Sequence, residues 1–197
     1  MNKTRLEAFS DAVIAIIMTI MVLELKIPHG TDLNAIKPLL PVFLSYVLSF
    51  IYLGIYWNNH HHMLQAAKKV NGKILWANMH LLFWLSLVPF ATGWMGENHF
   101  APLPTAIYGV VLLCSAIAYV ILQTLIVRHH KGIDTTLAEA IGSDLKGKLS
   151  MVLYIVAIPM AFINEWISDG LYVAVAVMWL IPDRRIEKKI YDQLPEE

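Results

Sequence analysis

The stretch Ala12–Leu23, AVIAIIMTIMVL, decides the fold of this chain because it is apolar apart from one threonine and carries no charge. With its flanks it supplies about the 20 residues that an α-helix needs to cross a hydrocarbon layer about 30 Å thick. At 100° per residue, four positions share one side of that helix: Ile16, Thr19, Ile20 and Leu23. The sequence therefore predicts a membrane-spanning first helix with a continuous, mainly apolar stripe, hereafter the α1 stripe.

The composition of the whole chain agrees with a membrane protein. Hydrophobic residues make up 57% and charged residues 15%, and the mean hydropathy is +0.57. A water-soluble domain of this composition would have too little polar surface. The formal net charge of zero gives no basis for a nucleic-acid partner. Signatures such as Gly-x-Ser-x-Gly, a Walker loop or His-Glu-x-x-His are missing, so the sequence does not indicate an enzyme.

Five further apolar runs follow the first helix. They lie at roughly Leu39–Trp57, Ile74–Met95, Pro104–Val127, Leu149–Trp166 and Leu171–Ile181. We therefore predict an all-α membrane protein with six transmembrane helices, forming one helical membrane domain over residues 1–197. The last two spans would be joined by a tight turn at Ile167–Gly170, and a short amphipathic helix would lie around Thr135–Ile141.

Positive charge is distributed unevenly between the two sides that a six-span arrangement creates. One side holds Lys3, Arg5, Lys68, Lys69, Lys73, Arg128, Lys131, Lys146, Lys148, Arg184, Arg185, Lys188 and Lys189. The other side holds only Lys26 and Lys37. Because cytoplasmic loops carry the excess of Lys and Arg, both termini are predicted to be cytoplasmic.

Two charged residues at the start of the first span, Arg5 and Asp11, require partners near the membrane. They lie on different faces of the helix, so those partners must come from another helix. The second span ends at the same membrane level with Trp57 and the polar run 58–62, which brings the histidines His60 and His61 near Asp11. This arrangement favours a buried polar network over direct contact with a transported species, although both interpretations stay open. Adjacent histidines point about 100° apart, so we predict no metal site there.

Several motifs resemble one known family. Arg5-x-x-x-Phe9-Ser10-Asp11 opens the first span, and Trp57-x-x-His60-His61 closes the second. Further matching segments are Leu85–Phe90 with Thr92, and Trp179–Arg185. Together they resemble the endosomal/lysosomal potassium channel family, transmembrane protein 175, in its prokaryotic form. The resemblance extends over essentially the whole chain.

The resemblance implies an assembly and a set of site residues. It implies a homotetramer in the lipid bilayer in which four copies of the first helix line a pore. Ile16 would form a hydrophobic constriction, and Thr19, Ile20 and Leu23 would be further pore positions. A supporting interhelical network would comprise Arg5, Phe9, Ser10, Asp11, Trp57, His60 and His61. No cofactor is implied, and the permeating species would be potassium and other monovalent cations.

We therefore expect a passive, potassium-permeable cation channel in a plasma membrane. The alternative that the sequence leaves open is a proton- or metal-coupled transporter of small cations. Such a carrier would use Asp11 together with the His60/His61 cluster, since carboxylate and imidazole groups can exchange protons near neutral pH.

Overall fold

The computed structural model describes residues 2–67, 69–130 and 145–180, and this part of the chain is helical apart from short connections. Its α-helices are α1 (Lys3–Leu23), α2 (Leu40–Ala66), α3 (Gly72–Ser86), α4 (Val88–Glu97), α5 (Pro102–His130), α6 (Leu145–Met160) and α7 (Glu165–Leu180). Two short 3-10 turns, Leu33–Ala35 and Lys37–Leu39, lead into α2. The predicted all-α membrane fold is confirmed. The helix predicted around Thr135–Ile141 lies outside the described residues.

Four helical stretches are long and apolar enough to cross a membrane. They are Lys3–Leu23, Leu33–Gln65, Gly72–Glu97 and Pro102–His129. The described parts of α6 and α7 have 16 residues each, which corresponds to about 24 Å of helix. The protein is therefore a multi-pass membrane protein whose last two helices form a shorter pair.

The third span, predicted as one apolar run, is built from two helices. The break falls at Leu87, because Pro89 in the first turn of α4 has no N–H to continue the helical ladder. The Leu87 N–H instead bonds the Trp84 carbonyl at 3.2 Å, and the Ala91 N–H restarts the ladder on Leu87 at 3.1 Å. Helices α3 and α4 nevertheless remain one stretch of 26 residues.

The predicted end of the second span is too early. Helix α2 continues past Trp57 to Ala66. The polar residues of this segment are satisfied without ending the helix: the Asn59 amide donates to the Ile55 carbonyl one turn back, at 2.8 Å, and His60 is fully buried. Polar side chains therefore mark an interhelical contact here rather than a helix end.

The turn predicted at Ile167–Gly170 is also wrong. The chain reverses at residues 161–164, directly after Pro159 in the last turn of α6. Asn164 then caps α7, since its side-chain oxygen accepts a hydrogen bond from the Trp166 N–H at 3.0 Å. Gly170 lies inside α7.

Contacts between helix ends show that neighbouring helices alternate in direction. At one end of the bundle, the basal end, Lys3 Nζ donates a 2.8 Å hydrogen bond to a carbonyl in the last turn of α2. At the opposite, apical end, Lys26 pairs with Glu97 and the Phe100 ring lies 6.0 Å from that of Trp166. Helices α1, α3 and α6 thus begin at the basal end, whereas α2, α5 and α7 begin at the apical end.

A hydrogen-bonded group of hydroxyls ties the helices together in the apical half of the core. The Thr92 hydroxyl on α4 lies 2.6 Å from the Ser49 hydroxyl on α2, and Ser49 lies 2.9 Å from the Tyr108 hydroxyl on α5. Nearby, the Tyr52 hydroxyl donates to the Tyr172 carbonyl on α7 at 2.7 Å. Interhelical hydrogen bonds of this kind are well suited to a bundle in lipid, where the hydrophobic effect does not hold helices together.

Candidate functional site

Helix α1 has one face buried in its own bundle and one face uncovered. The buried residues are Leu6, Ser10, Ile14, Ile17 and Met21, spaced three or four apart. The α1 stripe lies on the other side, with Ile16 57%, Ile20 41% and Leu23 80% exposed in the isolated chain. The Thr19 hydroxyl donates back to the Ile16 carbonyl at 2.9 Å, so its oxygen lone pairs remain available to a ligand. The buried face and the exposed stripe of α1 both follow from helical periodicity.

Two residues of the sequence motif, Arg5 and Phe9, extend the uncovered side toward the basal end. Phe9 is 46% exposed and lies seven residues before Ile16, on nearly the same side of the helix. Arg5 is also exposed and forms no ion pair with another described residue. Within one chain, the structure therefore does not join these two residues to Ser10 and His60.

Ser10 and His60 are brought together by a third residue, Asn78 of α3. All three side chains belong to fully buried residues. The Asn78 amide nitrogen donates to the Ser10 hydroxyl at 2.9 Å, and His60 Nε2 lies 2.7 Å from Asn78 Oδ1. This buried triad links α1, α2 and α3 at the basal end of the bundle.

The hydrogen bonds of the buried triad run in one direction. The only hydrogen on the Ser10 hydroxyl is donated to the Leu6 carbonyl at 2.8 Å, so Ser10 accepts from the Asn78 amide. The Asn78 oxygen then faces His60, whose Nε2–H must donate to it. This network assigns the Nε2–H tautomer to His60. Its other ring nitrogen, Nδ1, has no hydrogen-bond partner among the described residues.

Asp11 belongs to a separate and more exposed contact. Its carboxylate accepts a 3.1 Å hydrogen bond from the Trp57 indole N–H. The indole in turn stacks on the His61 ring, with ring centroids 6.1 Å apart and planes 25° apart. In the part of the chain that the structure describes, Asp11 makes no hydrogen bond to His60 or His61. The direct carboxylate–imidazole pair that a coupled carrier would use is therefore not formed.

Sequence reasoning missed Asn78, although a signal for it exists. Asn78 is an amide inside the apolar run Ile74–Met95. An amide at that depth requires a partner on another helix. Like Asp11, Asn78 therefore predicts an interhelical contact. The predicted histidine cluster also separates, since His60 is buried while His61 lies only partly covered beside Trp57.

A groove at the apical half connects the α1 stripe with α4. It has a volume of about 680 Å³, and its lining includes Ile16 and Ile20 from α1 and Phe90 from α4. At its mouth Lys26 Nζ lies 2.7 Å from Glu97, and this hydrogen bond and the carboxylate charge raise the pKa of Lys26. Lys26 is therefore a permanently charged partner of Glu97. Among residues 2–67, 69–130 and 145–180, no group of three His, Cys, Asp or Glu side chains could hold a metal ion.

The fold and the site together define a multi-pass helical membrane protein that buries one side of its first helix and leaves the other side uncovered. Residues 5–89 match the family model described as the endosomal/lysosomal potassium channel TMEM175. A potassium channel of Chryseobacterium sp. (strain P1-3) is 57% identical over 190 residues, covering 96% of this chain and 98% of the relative. The chain belongs to the TMEM175 family, and the resemblance seen in its motifs is confirmed.

More distant relatives agree over nearly the full length. A potassium channel of Chamaesiphon minutus is 28% identical over 192 residues, covering 90% of this chain and 93% of the relative. The crystal structure of a lysosomal potassium-selective channel TMEM175 homolog from Chamaesiphon minutus matches with a TM-score of 0.74 and 26% identity. That match covers 93% of this chain and 97% of the other. Membership of a family of ion channels also confirms the prediction that this chain is not an enzyme.

Proposed function

We propose that this protein is a potassium-permeable cation channel that conducts passively. The potassium channels of Chryseobacterium and Chamaesiphon minutus support this function, because each aligns with at least 90% of this chain. The contact geometry of Asp11 supports a channel over a coupled carrier, since its carboxylate is paired with Trp57 rather than with a histidine. No cofactor is required, and potassium is the permeating species.

The observation that carries the proposal is the uncovered α1 stripe. In a symmetric oligomer these residues face a common axis, with Ile16 forming the narrowest apolar ring and Thr19, Ile20 and Leu23 continuing the pathway. A ring of isoleucines resists wetting, and it favours a cation that loses its hydration water at low cost, which means potassium over sodium. Thr19 contributes hydroxyl oxygens to an otherwise apolar surface.

The polar residues at the basal end support the pore helix rather than bind ions. Ser10 and His60 meet through Asn78, and Asp11 meets Trp57 beside His61, so two helices hold α1 at a fixed rotation. Arg5 and Phe9 are exposed in one chain, and we assign them to contacts between subunits. A fixed rotation matters because turning α1 by one residue would replace Ile16 with its neighbour in the pore.

We further propose a homotetramer in the plasma membrane with residues 1–197 as one six-helix channel domain. The distribution of positive charge supports cytoplasmic termini. The described basic residues at the basal end are Lys3, Arg5, Lys69, Lys73, Arg128, Lys146 and Lys148, against Lys26 and Lys37 at the apical end. The basal end, where α1 begins, is therefore assigned to the cytoplasm.

Potassium flux from proteoliposomes tests this function. Purified protein is reconstituted, and potential-driven potassium efflux is compared among wild type, Ile16→Asn and Ile155→Asn. Ile155 on α6 is the matched control, because it is 58% exposed in the isolated chain and receives the same substitution. We expect wild type to conduct without saturation, Ile16→Asn to change the flux by about tenfold or more, as dewetting barriers of a few RT imply, and Ile155→Asn to leave it unchanged.

Two outcomes would contradict the proposal. Flux that requires an imposed proton or metal gradient would identify a coupled carrier. Equal flux through Ile16→Asn and Ile155→Asn would show that the constriction does not lie at Ile16 of α1, even if the protein still conducted potassium. Oligomer size measured on the same preparations, by native mass spectrometry, checks for the expected four copies.

A further inference from the structure

We propose that Glu24 forms a ring of carboxylates at the apical mouth of the pore and determines how many cations reach the constriction. This inference rests on the proposed function, because it requires four copies of α1 around one pathway. Glu24 would control the rate at which cations enter the pore. It belongs neither to the Arg5–Asp11 motif nor to the α1 stripe.

The helical register places Glu24 above the stripe. Glu24 directly follows Leu23, the last residue of α1, and its φ of −74° and ψ of −15° keep it in the right-handed helical region. It lies four residues after Ile20, so it falls on the same side of the helix about 6 Å further along the axis. The side that carries Ile16 and Ile20 therefore ends in a carboxylate at the apical end.

Glu24 also opens into the same space as the stripe. It lines the apical groove together with Ile16, Ile20 and Glu97. At about 680 Å³, the groove has room for about 20 water molecules at about 30 Å³ each. A carboxylate in such a space stays in contact with water, so a negative charge there carries no penalty for burial.

Glu24, Lys26 and Glu97 together carry one excess negative charge at the mouth. Lys26 is paired with Glu97 at 2.7 Å, so these two residues are together neutral. Glu24 forms no hydrogen bond or ion pair with any described residue of its own chain, and its charge also helps to raise the pKa of Lys26. Each chain thus contributes one net negative charge at this level, and four chains contribute four.

The expected effect follows from Coulomb's law with salt screening. Four unit charges about 8 Å from the axis concentrate a monovalent cation about fourfold in 0.15 M salt, where the Debye length is about 8 Å. In 1 M salt, where the Debye length is about 3 Å, the enrichment falls to about 1.3-fold. An effect of charge at the mouth therefore disappears at high salt, whereas a structural defect does not.

Single-channel conductance in symmetric KCl tests the proposal, with wild type, Glu24→Gln, Glu24→Asp and Glu165→Gln. Glu165 is the matched control: it begins α7 at the same apical end, and α7 packs against α2, α5 and α6. We expect Glu24→Gln to lower conductance about fourfold in 0.15 M KCl and about 1.3-fold in 1 M KCl. Glu24→Asp and Glu165→Gln should match wild type.

Lys26→Gln provides a test of opposite sign. Removing the lysine leaves Glu97 without its partner and doubles the net negative charge per chain, so conductance in 0.15 M KCl should rise. Unchanged conductance in Glu24→Gln, or an equal decrease at both salt concentrations, would overturn the role of Glu24 while leaving the channel intact. Absence of potassium current from the wild type would instead overturn the proposed function.

Discussion

Replacing Asn78 with alanine should loosen the hold of the bundle on its first helix. The substitution removes the amide that accepts from His60 Nε2 at 2.7 Å and donates to the Ser10 hydroxyl at 2.9 Å. Ser10 keeps its bond to the Leu6 carbonyl. His60 is left fully buried with neither ring nitrogen bonded to a described residue.

The size of the effect can be worked out from these contacts. Hydrogen bonds between membrane helices contribute about 0.6 kcal/mol on average and up to about 1.7 kcal/mol. A buried donor without a partner adds a further cost of about 1–3 kcal/mol. With two bonds lost and the His60 N–H unpaired, Asn78→Ala should lower the free energy of unfolding by about 2–4 kcal/mol.

A double-mutant cycle in mixed detergent micelles measures this coupling. Unfolding by SDS would be followed by tryptophan fluorescence for Ser10→Ala, Asn78→Ala and the double variant. Because Ser10 and Asn78 share a hydrogen bond, the double variant should lose about 0.5–2 kcal/mol less than the sum of the two. Ser86→Ala on the same α3 is the control, since among the described residues its exposed hydroxyl bonds only the Phe83 carbonyl. Additive losses, or equal losses from Asn78→Ala and Ser86→Ala, would refute the reasoning.

Three further substitutions test packing and turn geometry, each by the same unfolding measurement. Gly96→Ala should destabilise by about 1–3 kcal/mol, because its Cβ would lie 2.7 Å from the Val42 backbone; an unchanged stability would show that α2 and α4 can separate freely. Gly54→Ala in α2 has open space around it and should stabilise by about 1 kcal/mol, and a loss would contradict that. His99→Gly should raise the free energy of unfolding by up to about 1 kcal/mol, because His99 lies two residues after the end of α4 with a φ of 52°; a loss of stability would mean that its side chain makes a needed contact.

The fold was predictable from sequence where the residues of one helix are sufficient to identify that helix. Period and length identified α1, since both are properties of consecutive residues and need no knowledge of a neighbour. The turn after α6 was misplaced for the opposite reason. Gly170 is a familiar turn residue, but Pro159 and the capping Asn164 decide where the chain reverses. The helix cap, rather than the isolated glycine, determines the position of the turn.

The candidate site was predictable only in part, because its geometry depends on the register between helices. Helix direction alone brings Asp11 to the level of the α2 histidines. It does not say which histidine turns inward, and it gives no reason to choose Asn78 as the bridge. Those choices depend on the rotation of α2 and α3 about their axes, which fixes His60 toward α3 and His61 toward Trp57. The sequence pattern of α2 is too uniformly apolar to set that rotation.

The two ends of α1 are held by contacts of different strength. At the basal end Ser10 is fully buried and bonded to Asn78, so moving it requires a buried polar group to lose its partner. Beyond the apical end, three residues after Leu23, the polar contact is the ion pair of Lys26 with Glu97, whose side chains are 74% and 46% exposed. Water and salt replace such a pair with little loss of free energy. The polar contact at the apical end of α1 can therefore be broken at a lower free-energy cost than the buried triad.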